Sequence, residues 1–397
     1  MKIVNENTKI DKFLNKLNFK FYLTPKQVRY IAMYMYFCFE IYFDGKMTNV
    51  SKIYFCEAHR SSINRFITSS PWDEENILRV LKKDVIKTIQ DISIKSNKQI
   101  ELIIDDTISK KSKPSSKALN TTKGTQFHFS HTDRKTVFGH QIVVCILKCG
   151  KKEFPFDMIL YNKNTSSKVE IALKVIEEVS KLIKVDILLT DSWYASEKII
   201  KLAREKNITF IGSLRTNRVI YPMIKNGESI QISKFIMGIK KKYFNLVTVN
   251  GTKYYTYRYT GKINGLKDVC IIITFPYGKF GIQGALKAFI TTNTELMTTE
   301  ILHSYLRRWS IEVFIRECKG KLGLNNYQMH SLKGIRRYYV ILMLTYYYII
   351  NRNKKLSFTN NFNNTKNNVF KNLLNHVYLM AKGNESFEKI LENLEVA

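Results

Sequence analysis

What most constrains the fold is the order of the apolar runs after Gln99. ELIIDDT (101–107) is a short β-like run that ends in acids. Two more strand-like runs follow, HQIVVCILK (140–148) and EFPFDMILY (153–161). Residues 167–184 then carry apolar positions at helical spacing, and VDILLTD (185–191) is another apolar strand ending in an acid. A helix over 196–206 and a strand over 208–214 complete the unit. Three strands, then helix–strand–helix–strand, predict an α/β core with the first strand central and the fourth beside it. Asp106 and Asp191 would then lie close together at strand C-termini, where α/β sheets place their chemistry. Asp105 is an awkward neighbour: in a strand buried on both faces, period-two alternation leaves open which of Asp105 and Asp106 faces the site.

This order is that of an RNase H-like (retroviral-integrase-type) core. We divide the chain into a helical, basic, DNA-binding region (1–98), the first part of the catalytic core (99–214), an antiparallel β insertion (215–288), the return of the core (289–350) and an Asn/Lys-rich segment with a C-terminal helix (351–397). The insertion is read from period-two alternation in NLVTVNGTKYYTYRYTGKI and its Asn250-Gly251 hairpin signal. KAFITTN (287–293) returns to the core. The Asn/Lys-rich stretch 351–372 is expected to be mobile or loosely packed.

A third acid comes from YLRRWSIEVFIRECK (305–319), which has neither Pro nor Gly and reads as one helix. In such a helix Tyr305, Arg308, Glu312 and Lys319 share an arc of about 60° along roughly 21 Å. Glu300 and Glu317 fall well off this stripe. A carboxylate flanked by two cations and a phenol suits metal binding beside phosphate binding; a solvated face of i,i+4 ion pairs is the plain alternative.

Lys and Arg total 64 against 33 Asp and Glu, a net charge of +31. Self-repulsion of that size is best tolerated on a polyanion, with nucleic acid ahead of a membrane surface. In the N-terminal region, HRSSINRFI (59–67) is a short basic helix candidate whose Arg60, Ser61, Asn64 and Arg65 are types that contact phosphates and base edges. Helix starts are expected at Thr24-Pro25 and near Ser70–Glu74. The six cysteines are scattered without zinc-site spacing and read as reduced thiols of a cytosolic protein. The first residues are polar, unlike a signal peptide, and the apolar run 338–350 is too short to cross a bilayer, so no membrane association is expected.

Clustered acids at strand ends repel unless compensated, and divalent metal is the economical compensation. Two ions can activate an attacking oxygen and stabilise a leaving one. His128, His131 and His140 read as loop or strand-edge residues, with His140 able to reach the site from the second strand.

On these residues the chain resembles a bacterial insertion-sequence DDE transposase of the type-four group. Tyr305, Arg308, Glu312 and Lys319 keep every spacing of that group's signature. Asp106-Thr107 matches the family's opening Asp-Thr pair, which favours Asp106 over Asp105. Asp191 in LLTDSWYAS matches the second Asp, and 130–141 resembles the lead into the family's second strand.

The resemblance implies a cut-and-paste endonuclease and strand-transfer enzyme. A nick at the transposon end would free a 3′-hydroxyl that forms a hairpin, which is reopened before joining to target DNA. Asp106, Asp191 and Glu312 would hold two Mg²⁺ ions, with Mn²⁺ as a substitute. Tyr305, Arg308 and Lys319 would bind phosphates. Family members stack a flipped base on an aromatic, for which Trp193, Trp309 and Tyr254, Tyr255, Tyr257 and Tyr259 are candidates; cross-strand packing is the plainer role for the tyrosines. Partners would be double-stranded DNA, as inverted-repeat ends and target, and a second protomer, in the bacterial cytoplasm at the nucleoid. A nuclease that cuts without joining, or an inactive DNA-binding derivative, remains as the alternative.

Overall fold

The computed structural model describes residues 4–40, 59–118, 121–131 and 133–394. Cys56 and part of the N-terminal helical reading (41–58) lie outside the described residues, as does Thr132. Helices α1 (Val4–Lys16), α2 (Pro25–Phe37), α3 (Arg60–Thr68) and α4 (Glu74–Ser96) precede the sheet. Thr24 caps α2 in a capping box with Gln27, and Asp73 caps α4.

Next come β1 (Ile100–Lys110), β2 (Gln126–Ser130), β3 (Lys135–Cys149), β4 (Lys152–Tyr161), α5 (Lys168–Leu182), β5 (Ile187–Thr190), α6 (Glu197–Glu205) and β6 (Thr209–Leu214). β1 pairs antiparallel with β3 on one side and parallel with β5 on the other, so the first strand is central. It runs past the acids to Lys110, longer than its apolar run indicates, because pairing with β3 continues there. Gly139 permits this close approach: a Cβ on it would collide with the Ser109 carbonyl oxygen. β2, absent from the sequence reading, extends the same edge of β3 before β4 takes over.

Then follow β7 (Val219–Ile220), β8 (Ile230–Gln231), α7 (Ile232–Met237), β9 (Asn245–Val249), β10 (Thr252–Ile263), β11 (Leu266–Pro276) and β12 (Lys287–Thr291). The insertion strands continue the core sheet rather than forming a separate one, since β12 pairs with both β6 and β11. The chain ends with α8 (Thr298–Leu306), α9 (Trp309–Lys321), α10 (Leu332–Arg352), α11 (Phe358–Lys382) and α12 (Phe387–Leu394).

Two expectations need correction. The run 305–319 is two helices, broken at Arg307–Arg308, where i→i+3 bonds such as Arg308 N–H to Tyr305 O (3.0 Å) replace α-helical ones. Each arginine there is tethered to a β1 carboxylate, Arg307 to Glu101 and Arg308 to Asp105. The Asn/Lys-rich segment is not loosely packed: much of it lies in α11. Phe358, Phe362, Thr365 and Val369 recur at helical spacing on its buried side, and the buried Asn361 donates its amide to Asn353 O at 3.0 Å. α10 is buried almost throughout, as its apolar run predicts. No helix among the described residues is long and apolar enough to cross a membrane.

Candidate active site

β5 ends beside the middle of β1, where Ile104 pairs with Thr190, so Asp191 comes up next to Asp105 and Asp106. Asp105 and Asp106, being adjacent in a strand, point to opposite faces. On one face Asp105 Oδ2 accepts from Arg308 Nη1 at 2.5 Å, and the same guanidinium ion-pairs with Glu312. Arg308 thus joins the β1 carboxylate to the carboxylate on α9. On the other face Asp106 is held by three donors: Lys168 Nζ at 2.8 Å, Tyr194 Oη at 3.1 Å, and the Gln141 amide. Asp191 closes its own turn by accepting from the backbone N–H of Trp193 (2.9 Å) and Tyr194 (3.4 Å).

These acids feel one another. Burial, and then the charge of Asp191, push the Asp105 carboxyl up to about 7, against the pull of Arg308. Burial and the charge of Asp106 also raise Asp191. The donor set is entirely oxygen, which fits a hard divalent ion. Among the described residues no three acidic, His or Cys side chains converge on one point. Arg308 spans Asp105 and Glu312, so gathering these carboxylates on an ion requires the guanidinium to yield.

Of the remaining signature residues, Tyr305 on α8 faces β12 and Lys319 on α9 faces β1. Tyr305 packs on Phe289 at 4.6 Å between ring centroids, and Arg308 lies 5.6 Å from the Tyr305 ring. Lys319 Nζ donates to Ile108 O at 3.0 Å, and burial followed by repulsion from Lys110 lowers its pKa. Glu317 is buried elsewhere, paired with Lys321 and Thr359. Trp309 is exposed at the start of α9. Arg60, Asn64 and Arg65 are exposed on α3, whose opposite side (Ile63, Phe66, Ile67) is buried; none of their described contacts reaches the acids.

His140 does not reach the acids either. It is fully buried, with Nδ1 2.7 Å from Tyr327 Oη and Nε2 2.9 Å from Lys123 O, and it pins the 123 loop. His128 is buried; burial and then Lys163 and Lys168 push its pKa down to about 4, against the pull of Gln141 and Asp106, so it is neutral at physiological pH. His131 sits edge-on to Phe129. In the insertion, Tyr257 packs on Phe235 and Phe244, Tyr255 stacks on Tyr277, and Tyr259 donates to Lys262 O.

A family model described as "Transposase DDE domain" matches residues 96–348, well over half of the chain. The chain belongs to the DDE transposases. As such it is a DNA-cleaving enzyme, and DDE transposases use divalent metal ions. Among solved structures, one similar to this transposase is the cryo-EM structure of the piggyBac transposase synaptic complex with hairpin DNA. It is 13% identical, covers 85% of this chain and 67% of that chain, and has a TM-score of 0.43. No curated protein sequence matches.

Lys168, Gln141 and Tyr194 went unnoticed in the sequence. Only Lys168 left a signal there: a cation in the first turn of a predicted helix, the end that favours anions.

Proposed function

We propose that this DDE transposase mobilises a bacterial insertion sequence of the type-four group by cut-and-paste, through a hairpin intermediate, as a homodimer on double-stranded DNA. The observation that carries the reading is the Arg308 bridge between Asp105 on β1 and Glu312 on α9, beside the parallel β1–β5 pair that brings up Asp191 next to Asp105 and Asp106. It supports a site in which acids far apart in sequence serve one phosphodiester. Signature spacing supports the group, and the +31 charge supports a life on DNA.

In this reading Asp106, Asp191 and Glu312 hold two Mg²⁺ ions, for which Mn²⁺ can substitute. Bound divalent ions supply charge stabilisation at the reacting phosphate and acidify the attacking hydroxyl. Arg308, Lys319 and Tyr305 hold phosphates flanking the scissile bond, the cations by charge and Tyr305 by its hydroxyl. Trp309, exposed at the start of α9, lies against DNA beside them. The exposed Arg60, Asn64 and Arg65 contact the end duplex away from the acids. A second reading puts Asp105 in place of Asp106; its ion pair with the guanidinium that also holds Glu312 favours it.

The test is end cleavage. Protein is mixed with its own element's end duplex and Mg²⁺, and products are run on a denaturing gel, with Glu312→Gln, Asp105→Asn and Asp106→Asn alongside. Nicks and hairpins lost in Glu312→Gln are expected. Loss in Asp106→Asn but not Asp105→Asn supports the first assignment, and the reverse supports the second. Nicks without hairpins, or no strand transfer from a pre-cleaved end, point to a nuclease; tight binding without cleavage points to a DNA-binding derivative.

A further inference from the structure

We propose that Lys168 is a positioning residue of the active site, a strut whose ammonium ties the Asp106 carboxylate on β1 to the Trp193 indole in the turn after Asp191. The proposal rests on the reading that these acids hold metal.

Lys168 is the first residue of α5, behind a Ser167–Glu170 capping box. A cation there opposes the helix dipole, so the helix itself does not ask for a lysine. Nor does solubility: its side chain is only 9% exposed, whereas Lys174 on the same helix is exposed. A lysine ammonium is rarely taken from water unless paired. Here it is matched twice, by Asp106 Oδ1 at 2.8 Å and by the Trp193 ring, whose centroid is 4.2 Å from Nζ.

Trp193 is tied to Asp191 in turn, through its backbone N–H. A continuous path therefore runs Asp106–Lys168–Trp193–Asp191 from the middle of β1 to the turn after β5. Tyr194 adds a second link, donating its hydroxyl to Asp106 from the same turn. Carboxylates that repel and are offered to a common ion need their separation set by something else, and groups that orient such ligands typically alter metal affinity by about 10–100-fold.

The experiment measures Mn²⁺ binding to the full chain by titration calorimetry, without DNA. Lys168→Met is expected to bind Mn²⁺ about tenfold more weakly, Lys168→Arg to stay within about threefold of wild type, and Lys174→Met to match it. In a Trp309→Phe background, Lys168→Met should also raise acrylamide quenching of Trp193, a readout independent of metal. Wild-type affinity or tighter binding in Lys168→Met overturns the strut and makes the ammonium a bystander or a competitor. Wild-type protein that binds no Mn²⁺ overturns the metal reading, and the strut's role with it. Should Lys168→Met fail to fold, Trp193→Leu removes the other end and is expected to show the same weakening; its absence overturns the proposal.

Discussion

Asp105 and Asp106 are neighbours with opposite surroundings, one bridged to Glu312 by Arg308 and the other wrapped by Lys168, Gln141 and Tyr194. Asp105 carries a testable consequence. Its folded pKa of about 7 lies above its ordinary 3.8, chiefly through burial and then Asp191. The folded state therefore binds more protons than the unfolded one between these values, and this group's contribution to stability falls as pH rises from about 4 to about 7. Asp105→Asn is expected to gain about 1–3 kcal/mol over wild type at pH 8 and nothing at pH 3.5, measured by urea unfolding at the two pH values. A loss at pH 8 would mean that the attraction to Arg308 outweighs burial. The pair was legible as a site but its facing was not, because alternation carries no information in a strand covered on both sides.

At the scale of elements, the joint between α8 and α9 sets the geometry of the signature residues. Arg307 ion-pairs with Glu101, which is buried near the start of β1, and also donates to Ser304 Oγ at 3.0 Å. Arg307→Ala strips a buried carboxylate of its cation, and a loss of about 3 kcal/mol is expected in urea unfolding. End cleavage should also fall, because the turn that aims Arg308 loses its anchor; full activity would show that Arg308 is aimed by Asp105 and Glu312 alone. Helical periodicity read the run 305–319 as helical on both sides of Arg307–Arg308. It could not see the break, since the tethers reach residues about 200 positions earlier. The same limit applies to α11, whose Asn-rich composition hid an apolar row, and to His140, whose partners Tyr327 and Lys123 come from distant loops.

Across the whole molecule, one buried ion network binds the N-terminal helices to the sheet. Asp157 on β4 is 4% exposed and accepts from Lys82 on α4 (2.8 Å) and Arg336 on α10 (2.9 Å), while Lys82 also reaches Glu178 on α5. Although burial pulls its pKa upward, Arg336 and Lys82 win and hold it below the usual carboxylate value. Its contribution is thus present above the unfolded pKa and lost as pH falls through the folded one. Asp157→Asn leaves the buried Lys82 and the half-buried Arg336 each short of a partner, and a cost of about 3 kcal/mol is expected in urea unfolding at pH 7. The second whole-molecule property is charge. With +31 to spend on phosphates, end-duplex affinity is expected to fall about a thousandfold or more between 50 and 200 mM salt, measured by fluorescence anisotropy. A shallow slope would mean that few of those charges meet DNA.

By itself the sequence determined most of the core strands and helices, the three stretches that carry acids and the family, because these depend on local periodicity and fixed spacing, while β2 escaped it. Tertiary structure alone decided which face each β1 acid takes, the break at Arg307–Arg308, the merging of the insertion into the core sheet, and the recruitment of Lys168, Gln141 and Tyr194 around Asp106. Each of these rests on contacts between residues far apart in the chain, where burial and charge pairing act across space and leave no period to read.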